Sequence, residues 1–242
     1  MAKTKPECSR LISSLKALAN DEDARQGQRF FKTGPGEYGE GDLFLGIRMP
    51  AQRKQAQLFK DMTLSEIRQC LKSPFHEVRM TSLLILVLQF KRADSDHRTR
   101  IFKLYCASTR YINNWDLVDV TAPHIVGQYL LDQERALLYK FAESNDLWKK
   151  RIAIISTFSF IRQNQFKDTL AISQLLMKDS HDLIHKAVGW MLREVGNRDR
   201  RAEETFLKEH YANMPRTMLR YAIEKFPENR RQQYLQGKVR PL

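Results

Sequence analysis

The sequence predicts an all-α protein, a curved α-solenoid of HEAT-like, armadillo-type helical repeats. Three observations predict it. Apolar residues recur at helical spacing from end to end, and no segment alternates with period two. In addition, four helical segments resemble one another at intervals near 35 residues.

In chain order, Leu11, Ile12, Leu15 and Leu18 give 7–19 a single apolar face. Pro50 opens a helix over AQRKQAQLFKDM, at a position where its missing N–H costs nothing. Thr63 and Glu66 form the T-x-x-E capping box of EIRQCLK. Pro74 starts FHEVRMTSLLILVLQFK, whose run LLILVL fits a buried helix turn. Asp94 caps SDHRTRIFKLYCAS, and Asp146 caps LWKKRIAIISTFSFIR. Ser180 caps HDLIHKAVGWMLREV, which ends at Gly196. Pro215 opens RTMLRYAIEKF and Pro227 closes it, within C-terminal capping helices over about 215–238.

The four similar segments are EVRMTSLLILVL, LWKKRIAIISTF, LIHKAVGWMLRE and PRTMLRYAIEKF. Aligned on Arg79, Arg151, Lys186 and Leu219, they are offset by 72, 35 and 33 residues. The first offset spans two repeats, so a further unit belongs near 115–128. The whole of 1–242 then reads as a single repeat domain, with second helices lining a concave face. Each segment carries a basic residue at its first turn, where a cation is the electrostatically wrong charge. That recurrence points to an external anion and a positive stripe along the concavity. The irregular loop 33–43 interrupts the pattern. Its Gly34, Gly36 and Gly39 spell G-x-G-x-x-G, but no strand precedes them and Glu37 and Glu40 stand where phosphates would go. It reads as a connection.

Lys and Arg number 41 against 28 Asp and Glu, a net charge of +13. Such an excess favours nucleic acid or an anionic membrane. No segment sets a Lys-rich face against a Trp/Phe/Leu face, and none has 18 consecutive apolar residues, which leaves nucleic acid. MAKTKPECSR lacks the apolar stretch of a signal peptide. Cys8, Cys70 and Cys106 match no zinc or redox motif and read as reduced thiols. His181 and His185 sit four apart without the Glu of a zinc-protease helix, so neither metal nor cofactor is expected.

NNWDLVD, 113–119, sets carboxylates in this basic chain. Asn113 or Asn114 can cap a helix there, and Asp116 suits its first turn. Trp115 and Asp119, four apart, share a face. Asp119 reads either as a structural hydrogen-bond or ion-pair partner or as a working carboxylate. Trp148 precedes Lys149, Lys150 and Arg151 and reads as core between Leu147 and Ile152. Trp190 lies one turn from Lys186 and from Arg193, and reads equally as core or as a stacking platform beside open space at Gly189.

The ordered set NNWDLVD, LWKKRIAII and KAVGWMLRE, with QRFFK at 28–32 and FLGIRMP at 44–50, resembles the AlkD family of DNA glycosylases over about 20–230. The resemblance implies a HEAT-like solenoid with a basic concave DNA-binding face. It implies excision of cationic alkylated purines, chiefly 3-methyladenine and 7-methylguanine, from duplex DNA in base excision repair. It places the catalytic carboxylate on Asp119, the sugar-facing rings on Trp115 and Trp190, and a backbone contact on Arg151. A family tyrosine becomes Phe30, which keeps the ring and loses the hydroxyl. Lys150, Lys186, Arg193 and Arg79 are the further basic candidates for DNA. The implied protein is a monomeric, monofunctional hydrolase, cytoplasmic in a bacterium and nucleoid-associated when on DNA, without membrane partners. The competing expectation is a non-catalytic module that binds damaged or branched DNA.

Overall fold

A computed structural model describes residues 7–239. MAKTKP, expected to begin a chain without a signal peptide, lies outside them. Among the described residues the structure is helical throughout, and its one extended contact is an isolated parallel bridge between Leu43 and Phe75. No helix is long and apolar enough to cross a membrane. The chain divides into two compact units, 1–121 and 122–242.

In the first unit the helices are α1 (Glu7–Lys16), α2 (Asp21–Phe30), α3 (Met49–Leu58), α4 (Leu64–Cys70), α5 (His76–Arg92), α6 (Ser95–Ala107) and α7 (Trp115–Asp119). α5 is apolar or buried on nearly every face, which makes it the hub. Helices α3, α4, α6 and α7 pack on it, and α1 spans α3 and α4. Helix ends follow local chemistry. Asp94 Oδ1 accepts from the His97 N–H at 2.8 Å, and Asn20 Oδ1 accepts from that of Asp23 at 2.9 Å. Only half the expected capping box forms. Thr63 accepts from the Glu66 N–H at 3.3 Å, but Glu66 turns instead to the Glu7 N–H at the start of α1, at 2.6 Å. That same junction brings Cys8 and Cys70 together as a disulfide, with Cα atoms 5.7 Å apart. The expectation of three separate thiols holds for Cys106 alone. A pair separated by 62 residues leaves no local spacing signal.

The second unit contains α8 (Ala136–Ala142), α9 (Leu147–Ser156), α10 (Phe158–Ile161), α11 (Lys167–Leu176), α12 (Asp182–Arg198), α13 (Arg200–His210), α14 (Arg216–Ala222) and α15 (Glu228–Leu235). Here α12 is the hub, contacted by α9, α10, α11, α13 and α14. The single helix expected over 147–162 breaks at Thr157, whose hydroxyl donates to the Ile154 carbonyl at 2.7 Å. The cap of α12 is His181, whose Nδ1 accepts from the Leu183 N–H at 3.1 Å, in place of Ser180. Nor does Gly196 end that helix. It lies inside α12, where a Cβ would collide with the carboxyl of buried Glu203 from α13.

Candidate functional site

In the first unit, the chemistry gathers around α7. Asn114 is the N-cap, its Oδ1 accepting from the Trp115 N–H at 2.8 Å. Asn113 acts elsewhere, bonding Asp42 Oδ1 and Arg79, each at 3.0 Å. Asp116 meets His76 Nε2 at 2.8 Å, and the other side of that imidazole faces Asp42 Oδ2 at 3.4 Å. Arg79 completes the network by donating to Asp42 Oδ2 at 2.7 Å and to the carbonyls of Ser73 and Pro74 at 3.0 and 3.2 Å. At the far end of α7, the Tyr105 hydroxyl lies 3.0 Å from that of Thr121. The helix carrying Trp115 and Asp119 is therefore tied to α5 at its start and to α6 at its end.

Electrostatics keep that network charged. Burial opposes the charge on His76, but Asp116 and then Asp42 outweigh it and raise its pKa to about 9. Burial likewise opposes ionisation of Asp42, but His76, Arg79 and Asn113 hold its pKa below the ordinary carboxylate value. The ring of His76 lies stacked against Phe44 and Phe31, at 4.5 and 5.2 Å between centroids. Such stacking suits a cation.

Trp115 and Asp119, at the two ends of α7, are both half-buried. Trp115 meets Phe31 at 5.3 Å and Phe30 edge-on at 5.8 Å. Phe30 ends α2 with 66% of its surface exposed. Thus two residues singled out in the sequence, Phe30 and Trp115, come together in this unit, with Asp119 one turn on from Trp115 at the end of α7. Arg79 does not join them at the surface. Only 4% of it is exposed, and its guanidinium is committed to Asp42, Asn113 and two carbonyls.

The Gly-rich loop also belongs to this neighbourhood. Glu37 accepts from the Gly34 N–H at 2.9 Å and Glu40 from that of Gly36 at 3.0 Å, so its carboxylates fill its own backbone donors. Asp42, at its end, supplies the network. Another acid gives FLGIRMP its shape, since Glu77 of α5 accepts from the N–H groups of Leu45, Gly46 and Ile47 at 2.9, 2.8 and 3.2 Å. Gly46 has φ +76°, and a Cβ there would strike the Asn20 carbonyl.

In the second unit, Arg151 is buried and donates to the Leu183 carbonyl at the start of α12. Lys150 pairs with Asp179 at 2.6 Å, and Lys186 with Asp182 at 2.7 Å. Trp190 Nε1 donates to Glu194 at 3.0 Å, and its ring faces Phe158 at 6.0 Å. Arg193 pairs with Glu224 and lies 3.5 Å from Glu194. Beside Trp190 there is no open space at Gly189, because α14 packs onto it through Met218 and Tyr221. Trp148, half-buried at the start of α9, is less enclosed than a core residue.

The first-turn cations Arg79, Arg151 and Lys186 thus all reach anions or carbonyls of their own unit. Sequence reasoning also missed Asp42, His76 and Glu77. HE at 76–77, two polar residues opening a helix with a long apolar run, was the one local signal for the last two.

This chain matches the model of the DNA alkylation repair enzyme family over residues 11–226, and it belongs to that family. No curated protein matches it. Among solved structures, it is similar to a predicted DNA alkylation repair enzyme from Enterococcus faecalis. The TM-score is 0.69 at 14% identity, over 87% of this chain and 97% of that one. That likeness supports the all-α repeat fold.

Proposed function

We propose that the protein is a monofunctional DNA glycosylase that excises cationic alkylated purines, such as 3-methyladenine and 7-methylguanine, from duplex DNA. One observation carries this reading within the alkylation-repair family: α7 holds Trp115 and Asp119 one turn apart, with the exposed Phe30 ring against Trp115. Asn114 caps the helix and Asp116 ties it to His76. Asp119 stands at the last position of α7, where the helix dipole disfavours a carboxylate. A capping role does not explain it there.

Alkylation at N3 or N7 makes the purine a cation and a good leaving group. When the N-glycosidic bond breaks, its electron pair neutralises the departing base and positive charge develops on the deoxyribose. The Asp119 carboxylate stabilises that charge more in the transition state than in the substrate, which is what lowers a barrier. Water then adds to the sugar and gives up a proton to the carboxylate or to solvent, leaving an abasic site. The π-face of Trp115 suits that cationic sugar, and Trp190 is proposed as a further ring for DNA. Lys150, Lys186 and Arg193 are proposed to exchange their present acidic partners for phosphates. The exposed Lys186–Asp182 pair is worth about 1 kcal/mol or less, so that exchange is cheap. Arg79 and Arg151 are proposed to position the helices that carry the site. Both units would act as one monomeric repeat domain on DNA, in the cytoplasm and at the nucleoid.

The test is base release from methylated duplex DNA by wild type and Asp119→Asn, with binding measured in parallel. The variant is expected to lose activity by about a hundredfold or more and to bind undamaged DNA at least as tightly. Equal cleavage by both proteins overturns this mechanism. DNA binding with no base release by either selects the non-catalytic module.

A further inference from the structure

Several segments of the first unit meet at one side chain, His76 at the start of α5. Its Nε2 lies 2.8 Å from Asp116 Oδ2 of α7, and its Nδ1 lies 3.4 Å from Asp42 Oδ2 at the end of the Gly-rich loop. Its ring stacks against Phe44 and Phe31, at 4.5 and 5.2 Å between centroids. Phe31, just past the end of α2, also meets Trp115 at 5.3 Å, 30° from parallel. His76 thus reaches α7 by two routes, a polar one through Asp116 and an apolar one through Phe31, and they arrive at adjacent residues.

Both ring nitrogens face carboxylates. A neutral imidazole has one N–H and would turn its other lone pair on a carboxylate, whereas an imidazolium donates to both. Burial opposes that charge, but Asp116 and then Asp42 outweigh it and raise the pKa to about 9. Arg79, on the same helix, works against the charge. Glu77 beside it is spent on the N–H groups of Leu45, Gly46 and Ile47. Asp23 of α2 and Arg48 line the same cleft as His76 but pair with each other at 3.1 Å, and α3 brings the neutral Gln52. Two carboxylates therefore govern the state of His76, and one of them belongs to α7.

Loss of the proton removes one of the two donors and loosens Asp116, in the first turn of the helix that carries Trp115 and Asp119. Reaction rates are steep in such geometry, where a misplacement of about 1 Å costs about a hundredfold.

We propose that His76 is a positioning residue for base excision, holding α7 through Asp116 and through Phe31 on Trp115, so that the enzyme slows when the imidazolium is neutralised. The reaction it serves rests on the glycosylase reading; its hold on Trp115 does not.

The experiment labels the full chain with 5-fluorotryptophan and follows fluorine NMR from about pH 7 to about pH 10, with circular dichroism checking the fold at each pH. Trp115 is assigned by the resonance lost in Trp115→Phe. Its shift should titrate with a midpoint of about 9, and that titration should vanish in His76→Gln. Asp116→Asn keeps an oxygen toward His76 and loses the charge, so it should move the midpoint at least about one pH unit lower. In parallel, single-turnover release of 3-methyladenine from duplex DNA should fall at least about tenfold above the midpoint, and in Asp116→Asn that fall should come at the lower pH. Should His76→Gln not fold, the curves of wild type and Asp116→Asn decide. The proposal is overturned by a Trp115 resonance indifferent to pH in folded wild type, by one that still titrates in folded His76→Gln, or by a midpoint unmoved in Asp116→Asn. Titration as expected with no base release by any form would sink the glycosylase reading and leave the hold on Trp115 standing. Base release that stays level across the wild-type titration would remove the positioning role and leave the glycosylase reading intact.

Discussion

His76 is a buried imidazole held between Asp116 and Asp42, with Arg79 close by on α5 and two phenylalanine rings against its faces. Its pKa rises from 6.5 to about 9 on folding. The folded state therefore keeps a proton that the unfolded chain gives up first. This contribution is complete below about pH 6.5 and is lost as pH climbs through about 9, and it amounts to about 3 kcal/mol. Glu203 acts with the same sign over a lower window, since burial lifts its pKa from 4.5 to about 8. Its stabilising effect is lost between those values. Comparison of wild type with His76→Gln separates the two. The variant should be less stable by about 2–3 kcal/mol near pH 6 and nearly level with wild type above pH 9, as read from urea unfolding at both pH values. An equal deficit at both would show that His76 is neutral in the fold. None of this was legible locally, because Asp42 and Asp116 lie 34 and 40 residues from His76. NNWDLVD did reveal its first-turn acid, Asp116, and narrowed its cap to Asn113 or Asn114, of which Asn114 serves, because both follow from neighbours in sequence.

Helices were legible where a cap preceded a clear apolar face. Thr63, Asp94 and Asp146 mark their starts as expected. α2 escaped notice because none of its residues is buried, although Asn20 and three acids in its first turn announce it. α13 was missed for a related reason, since Arg, Glu and Lys dominate it and its buried face is only Glu203, Phe206 and Leu207. The break at Thr157 was hidden by continuous apolar character on both sides. Between α12 and α14 the packing depends on Gly189, where a Cβ would collide with the Met218 carbonyl and Tyr221. Gly189→Ala gains helix propensity of about 1 kcal/mol but forces these helices apart. A net loss of about 1–3 kcal/mol is expected, measured as a lower midpoint in denaturant. A stabilised variant would contradict this close approach.

For the whole molecule, the net charge of +13 sets the expectation for binding. Affinity for undamaged duplex should fall linearly with salt on logarithmic axes, with a slope of about −0.9 per phosphate contacted. Lys186→Gln should flatten that slope by about one contact. Arg79→Gln should lower the melting temperature and leave the slope unchanged, since its guanidinium holds Asp42 and Asn113. Binding insensitive to salt would remove phosphate contacts from the reading altogether. The sequence by itself determined the all-α repeat class and pointed to the alkylation-repair family, because helical period, caps and ordered motifs are properties of neighbouring residues. Only the tertiary structure decided what those helices face. It turned Arg79 and Arg151 inward onto carbonyls and a carboxylate, joined Cys8 to Cys70, and built a charged network beneath Trp115. The physical reason is that periodicity records which side of a helix is buried, while the partner on that side comes from residues tens of positions away.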